Sequence, residues 1–432
     1  MRSATLTIVV AFLLSITWLA VNAASPKPSK TAKKAFKQAE RIMNDPSKAG
    51  EARKQIAEAL LDSAYISDPK AYYIAGKIEA TQYQEGMKKL SINRNDPNVD
   101  RIKMADALMS ALKYYEKTIS LDTVVDSKGN KRTTYSNQLM DWITNQVPQF
   151  YNSGIAYLNK KLYYPQAYNA FMAYAESPDR FENRNAVAEI TDSARANGYF
   201  YAGVMAFNAG DYAVSAEAFE KARGYKYPKK EALINEMVCY RRLADADSTF
   251  LPEAMSKMTA IAGEGVQKYG LTTPMFIQKF AAGNIWSGEA EKAIVAIDSL
   301  LTLYPENASL LNSLRGEADI ALNDTEAAIA DYMKAASDSS ASFNTLLNAS
   351  KLLAAKGIEE ADKVAGSSKA AKKKRKQIKD TWLVPAKEYA IRAREAANKK
   401  DGIYGEIPEK ALENMLQDLD NTIATIDYNM LI

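Results

Sequence analysis

Small and apolar residues return along this chain in one fixed arrangement. In Gly210-Asp211-Tyr212-Ala213-Val214-Ser215-Ala216-Glu217-Ala218-Phe219-Glu220-Lys221-Ala222, a turn pair leads into a run where Ser215 is followed by Phe219 and then Ala222. Offsets of four and three fall on one face of an α-helix. The trio recurs as Ala111, Tyr115, Thr118; Ala167, Phe171, Tyr174; Ala254, Met258, Ile261; Ala293, Ile297, Leu300; and Ala328, Tyr332, Ala335. Its lead residues stand at 111, 167, 215, 254, 293 and 328, so the spacings run 56, 48, 39, 39 and 35. A second small residue lies twelve positions upstream of the lead in three units (Gly203, Ala281, Gly316), and Gly154 lies thirteen before Ala167. Small side chains at that place let two antiparallel helices approach where they cross. Pro178, Pro228 and Pro305 are expected to end units. The pattern predicts helix hairpins in series, each with an apolar face that only its neighbours can cover.

This arrangement resembles the tetratricopeptide repeat family, whose period is about 34 residues. The nearest matches are Ala111–Asp122, Gly210–Ala222 and Ala293–Pro305. Tyr72, Tyr151, Tyr199 or Ile277 stand where the family carries a first-helix tryptophan, and several connections are longer than the family's. The expected fold is all-α: a right-handed α-solenoid of about eight stacked antiparallel hairpins. They are read at 30–62, 69–122, 135–178, 196–228, 231–269, 274–305, 309–340 and 343–397. The repeat region spans 24–400, and 401–432 is expected to form a capping helix through Pro408, Leu412, Met415, Leu416, Leu419, Ile423 and Ile426. Three insertions break the period. Residues 83–103 contain the turn-rich Asn93–Asn98; 123–134 suggest a short β-hairpin with Lys128-Gly129-Asn130 at its tip; 359–381 are basic.

The first 23 residues read as a secretory signal: Arg2, an apolar run from Leu6 to Val21, and small residues at 21 and 23 for cleavage before Ala24. The alternative is an uncleaved inner-membrane anchor, since Lys27, Lys30, Lys33, Lys34 and Lys37 follow the run and would hold the repeats on the cytoplasmic side. The first reading places the protein in the periplasm, at the outer membrane, or outside the cell.

Composition removes most chemistry. The 432 residues include no histidine and one cysteine, Cys239. The commonest general base and metal ligand is missing, a zinc cluster of Cys and His is impossible, and Cys239 reads as a buried small residue. No phosphate-binding Gly-x-x-x-x-Gly-Lys-Ser/Thr run occurs. Gly263-Glu264-Gly265 reads as a turn after a helix. Asp245-Ala246-Asp247-Ser248 lacks the glycine of a calcium loop, and Ser67-Asp68-Pro69-Lys70 reads as a helix start at Pro69. No cofactor and no enzymatic activity are expected. The net charge of +4 names no partner. The basic run Lys369, Lys372, Lys373, Lys374, Arg375, Lys376, Lys379 reads first as a solvated loop or helix extension, and otherwise as a patch for an acidic partner or anionic membrane. A signal segment argues against nucleic acid.

The resemblance implies that the first helix of each hairpin lines a concave surface. The residues it assigns there are Tyr73, Lys77, Tyr151, Asn152, Asn159, Asn197, Phe200, Tyr201, Asn208, Glu236, Tyr240, Gln278 and Lys279. Tyrosine brings contact area, and asparagine can grip a peptide backbone through donor and acceptor. Packing between neighbouring hairpins is the competing explanation for the aromatics. The function expected is a non-catalytic scaffold for proteins or extended peptides, in envelope assembly or secretion. The alternative is a glycan binder using Tyr163, Tyr164, Tyr201, Tyr225, Tyr227 and Trp286.

Overall fold

The computed structural model describes residues 27–125, 131–158, 160–180, 190–397, and 409–411, 413–417, 420, 421 and 424. The signal segment, Lys128-Gly129-Asn130, Asn159 and most of the expected capping helix lie outside the described residues. Contacts divide the chain into two compact units, one ending at Ala232 and the next beginning at Leu233.

The first unit is a series of antiparallel helices. They are α1 (Lys30–Ile42), α2 (Ala49–Ala59), the single turn α3 (Ser63–Ile66), α4 (Pro69–Ile92), α5 (Arg101–Leu121), α6 (Ser136–Tyr157), α7 (Tyr164–Arg180), α8 (Asp192–Ala209) and α9 (Tyr212–Gly224). From α4 to α9 each helix packs on its neighbours within that series. Helix starts are set by side-chain caps: Ser29, Asp68, Asp100, Thr191 and Asp211 each accept an N–H of the first turn. Asp68 followed by Pro69 is such a start, so the Ser-x-x-Lys spacing there is a capping device. Gly210, with φ +86°, ends α8, and Asp211 opens α9 in the next residue.

The predicted trios form the core. Ala111, Tyr115 and Thr118 are buried, as are Ser215, Phe219 and Ala222. Each aromatic sits against the upstream small residue. A Cβ on Gly154 would fall 2.6 Å from the Phe171 ring, and one on Gly203 would fall 2.8 Å from Phe219. Pro178 does not end its unit: α7 runs on to Arg180.

Of the segment 83–103, the first part lengthens α4 and the last lengthens α5, leaving 93–100 as the connection. Residues 123–134 include a two-stranded antiparallel ladder, β1 (Val124–Val125) with β2 (Lys131–Arg132). Its base is clamped by Asp122, which is 2% exposed. That carboxylate accepts from the backbone N–H of Thr134 (2.9 Å to Oδ2), Tyr135 (2.6 Å) and Ser136 (2.8 Å), and from Ser136 Oγ (2.8 Å).

The second unit continues with α10 (Glu231–Ala246), α11 (Leu251–Tyr269), α12 (Pro274–Trp286), α13 (Ala290–Leu303), α14 (Ala308–Ala321), α15 (Thr325–Ser337), α16 (Phe343–Asp362), α17 (Lys369–Ile378) and α18 (Val384–Glu395). From α11 to α16 each helix packs on the next, and α16 packs along α18. The trios at 254, 293 and 328 are buried. Cys239 is buried too. Gly263-Glu264-Gly265 is not a turn. It lies inside α11, where Gly265 admits the Phe276 ring of α12; a Cβ there would fall 2.4 Å from it. Asn323, with φ +61°, and Asp324, which caps α15, repeat the Gly210-Asp211 device. Of the expected capping segment, Met415 and Leu416 pack on the core of α16 and α18.

Candidate functional site

The residues assigned to the first helices separate into three groups. In the first unit, Tyr73 stacks on Tyr135 at 4.6 Å between ring centroids, so it is committed to packing at the base of the β-hairpin. Lys77, on the same helix, is half-buried. Tyr151 sits among Phe171 (5.3 Å), Tyr174 (5.1 Å) and Tyr201 (6.2 Å). Tyr201 stacks on Phe171 at 5.4 Å, and Phe200 stacks on Tyr227 at 4.3 Å. These rings form one aromatic seam between α6, α7, α8 and the segment that follows α9. Burial pushes the phenols of Tyr151 and Tyr174 up from their ordinary values. The competing explanation therefore holds for the aromatics, which are half-buried and spend their faces on each other.

The polar members are more open. Asn152 and Asn208 are exposed, and Asn197 is half-buried with its Nδ2 donating to Ser193 O at 2.9 Å. In the second unit Glu236 and Tyr240 are 1% and 8% exposed, so neither offers a free face. Lys279 is half-buried, and burial together with the Arg241 charge pulls its ammonium down to about 8.

Gln278 belongs to a built site. It lines a polar cavity of about 330 Å³ with Ser309, Ser313 and Glu317 of α14 and Asn344 and Thr345 of α16; Asp338, Ser340 and Ser342 also line it. The first helices of three successive hairpins, α12, α14 and α16, thus contribute to one lining. The hydroxyls are held in place. Ser309 Oγ donates to Ala335 O at 2.8 Å, Thr345 Oγ1 donates to Ser313 Oγ at 3.0 Å, and Thr345 N donates to Ser342 Oγ at 3.2 Å. Burial pushes the Glu317 carboxyl up to about 7. A cation entering the cavity would favour its charged form. The side-chain amides and hydroxyls can bond an extended backbone, and the carboxyls of Glu306, Glu317 and Asp338 can accept basic groups.

The first-helix residues assigned from the sequence end at Gln278 and Lys279, short of those on α14 and α16. Their signal was available: Ser309, Ser313 and Glu317 recur at four-residue steps along a first helix.

The basic run is a helix. Ala371 and Ile378 bury one face of α17 against Val364 and Trp382. Ser368 caps it, accepting from Ala371 N at 3.1 Å. Arg375 is half-buried and donates to Gly366 O at 2.9 Å and Val364 O at 2.8 Å, tying down the preceding turn. Lys369, Lys372, Lys373, Lys374 and Lys376 are exposed, and Lys379 is half-buried.

The aromatics considered for sugars are mostly occupied. Tyr225 stacks on Tyr199 at 5.5 Å under the Arg195 guanidinium, and Tyr163 stacks on Tyr157 at 5.5 Å. Tyr227 is buried, while Trp286 is half exposed. Among the described residues no helix is long and apolar enough to cross a membrane.

No protein-family model matches the chain, and no curated protein matches it. Among solved structures it is similar to the TPR2AB-domain:pHSP90 complex of yeast Sti1, at 14% identity over 82% of this chain and 99% of that one, with a TM-score of 0.23. A tetratricopeptide repeat protein from Parabacteroides merdae is 13% identical over 72% and 93%, with a TM-score of 0.21. Yeast Tom70 is 13% identical over 91% and 96%, with a TM-score of 0.23. Scores this low describe no shared arrangement of whole chains, and the hairpin repeat described above rests on this chain's own residues.

Proposed function

We propose that this protein is an exported, non-catalytic scaffold that holds extended segments of other proteins along its first helices, in cell-envelope assembly or secretion. The observation that carries the reading is the polar cavity shared by α12, α14 and α16. Its hydroxyls and amides come from successive first helices, and its one elevated carboxyl, Glu317, favours a segment bearing a lysine or arginine. Export rests on the N-terminal apolar run with small residues at 21 and 23. The mature chain is then placed in the periplasm or at the outer membrane.

A photocrosslinking residue at Asn344, used in the native host beside an intact-mass measurement, tests both parts. A mass beginning at Ala24, with a discrete envelope protein captured from Asn344 and lost in Glu317→Lys, supports the proposal. Retention of the full-length chain in the inner membrane would refute export. Identical capture by Glu317→Lys would remove the cavity from the binding face. The sugar reading has no comparable support, because its aromatics are largely spent on neighbouring rings.

A further inference from the structure

A second cleft lies in the first unit, where residues 83–103 carry α4 and α5 past the repeat period. It measures about 370 Å³, within the range of small-molecule sites, and lies between the end of α4, the start of α5 and the later half of α6. Its walls are apolar: Met87 and Leu90 from α4, Met104 from α5 and Ile155 from α6, over the buried ring of Tyr83. Met87 and Ile155 remain 36% and 43% exposed. Gly86 fixes one wall, since a Cβ there would fall 2.6 Å from Met104 Sδ. The thioether therefore rests directly on the α4 backbone.

Two guanidinium groups, Arg94 and Arg101, stand in the same lining. Arg101 Nη2 donates to Arg94 O at 2.8 Å, which holds the two residues together. Neither has a carboxylate partner among the described residues. The nearby acids are engaged elsewhere. Asp100 caps α5 through the N–H groups of Ile102 and Lys103, Asp96 accepts from Asn98, Glu85 faces Lys89, and Asp106 accepts from Tyr157 Oη at 2.7 Å.

We propose that this cleft binds an aliphatic carboxylate, a fatty acid of medium chain length. The hydrocarbon covers the methionine, leucine and isoleucine surface of the cleft, and the carboxylate pairs with the fork of Arg94 and Arg101. A peptide is the poorer occupant. Its backbone would need several polar partners, and the amides present, Asn152 and Gln149, bond to each other at 3.0 Å. The site shares no lining residue with the polar cavity of the second unit, so its test is independent of that cavity.

Calorimetric titration of the full chain with decanoate tests this. Saturable one-to-one binding is expected, weakened roughly tenfold in the R94A/R101A variant. Met87→Glu, at an exposed position, should weaken it by a similar factor through repulsion, and decyltrimethylammonium and butyrate should not bind. Circular dichroism melts establish that both variants fold, and Met87→Glu stands as an independent test should the double variant fail to. Absence of binding, equal affinity in the folded variants, or equal binding of decyltrimethylammonium would each overturn the proposal.

Discussion

Tyr332 lies against Gly316 so closely that a Cβ on residue 316 would fall 2.8 Å from the ring carbons Cδ2 and Cε2. Phe219 stands in the same relation to Gly203, again sixteen residues apart (332 − 316 and 219 − 203). Both rings are fully buried. Alanine in place of a helical glycine ordinarily stabilises by about 1 kcal/mol. Here overpacking reverses the sign, and Gly316→Ala should cost about 1–3 kcal/mol. Gly50 in α2 has nothing within 4 Å of a Cβ, so Gly50→Ala should stabilise by roughly 0.5–1 kcal/mol. Urea denaturation of both variants decides the point. Equal gains would mean that the glycines do not set the approach of the paired helices.

Asp122 holds the start of α6 to the end of α5 across the β-hairpin. Asp122→Ala strands three backbone N–H groups and should cost about 2–3 kcal/mol. Burial opposes the charge of this carboxylate, and the N–H groups of Thr134, Tyr135 and Ser136 outweigh it, leaving its pKa below the ordinary 3.8. A depressed acid contributes stability above its unfolded pKa and loses it as pH falls through the folded one. The difference between wild type and Asp122→Ala should therefore be full at pH 7 and shrink below about pH 4. A difference that is constant down to pH 2 would argue against a charged clamp.

The hairpins were legible because their signal is repeated. One trio with one upstream glycine says little, but the same offsets at 203–222 and 316–335 specify the same helix crossing twice. Local rules failed where packing overrides them. Gly265 looks like a turn residue until the Phe276 ring fills its place, and Arg375 looks like surface charge until two carbonyls claim it. The site was less legible. Tyr151 and Phe200 read equally well as binding or packing residues, and only their ring partners decide. The polar cavity needs Gln278, Ser313 and Thr345 from three helices to converge, and their spacing along the chain does not state that.

Glu317 should make the second unit sensitive to pH near neutrality. Its carboxyl is raised by burial from 4.5 to about 7. Between these values the unfolded chain ionises while the folded one keeps its proton, so stability falls as pH rises through the window. Glu317→Gln removes that loss. It should stabilise the protein by up to roughly 3 kcal/mol at pH 8 and by nothing measurable at pH 4. Thermal melts of both proteins across that range test it. A gap that is independent of pH would place Glu317 in water, where it could not select a basic group.

Arg315 joins α14 to the two second helices flanking it. Its guanidinium pairs with Asp331 of α15 through two bonds, Nε to Oδ2 at 2.5 Å and Nη2 to Oδ1 at 2.9 Å, and also with Asp298 of α13. Asp331 is 5% exposed, and among the described residues Lys334 also pairs with it. Arg315→Met should therefore cost about 3 kcal/mol, because it leaves a buried carboxylate poorly compensated. The double variant R315M/D331L should recover much of that loss, since an apolar pair of similar volume escapes the desolvation penalty. Chemical denaturation of the two variants separates the alternatives. A double variant as unstable as the single one would mean that Arg315 acts mainly through Asp298, and that the Asp331 charge is not the source of the cost.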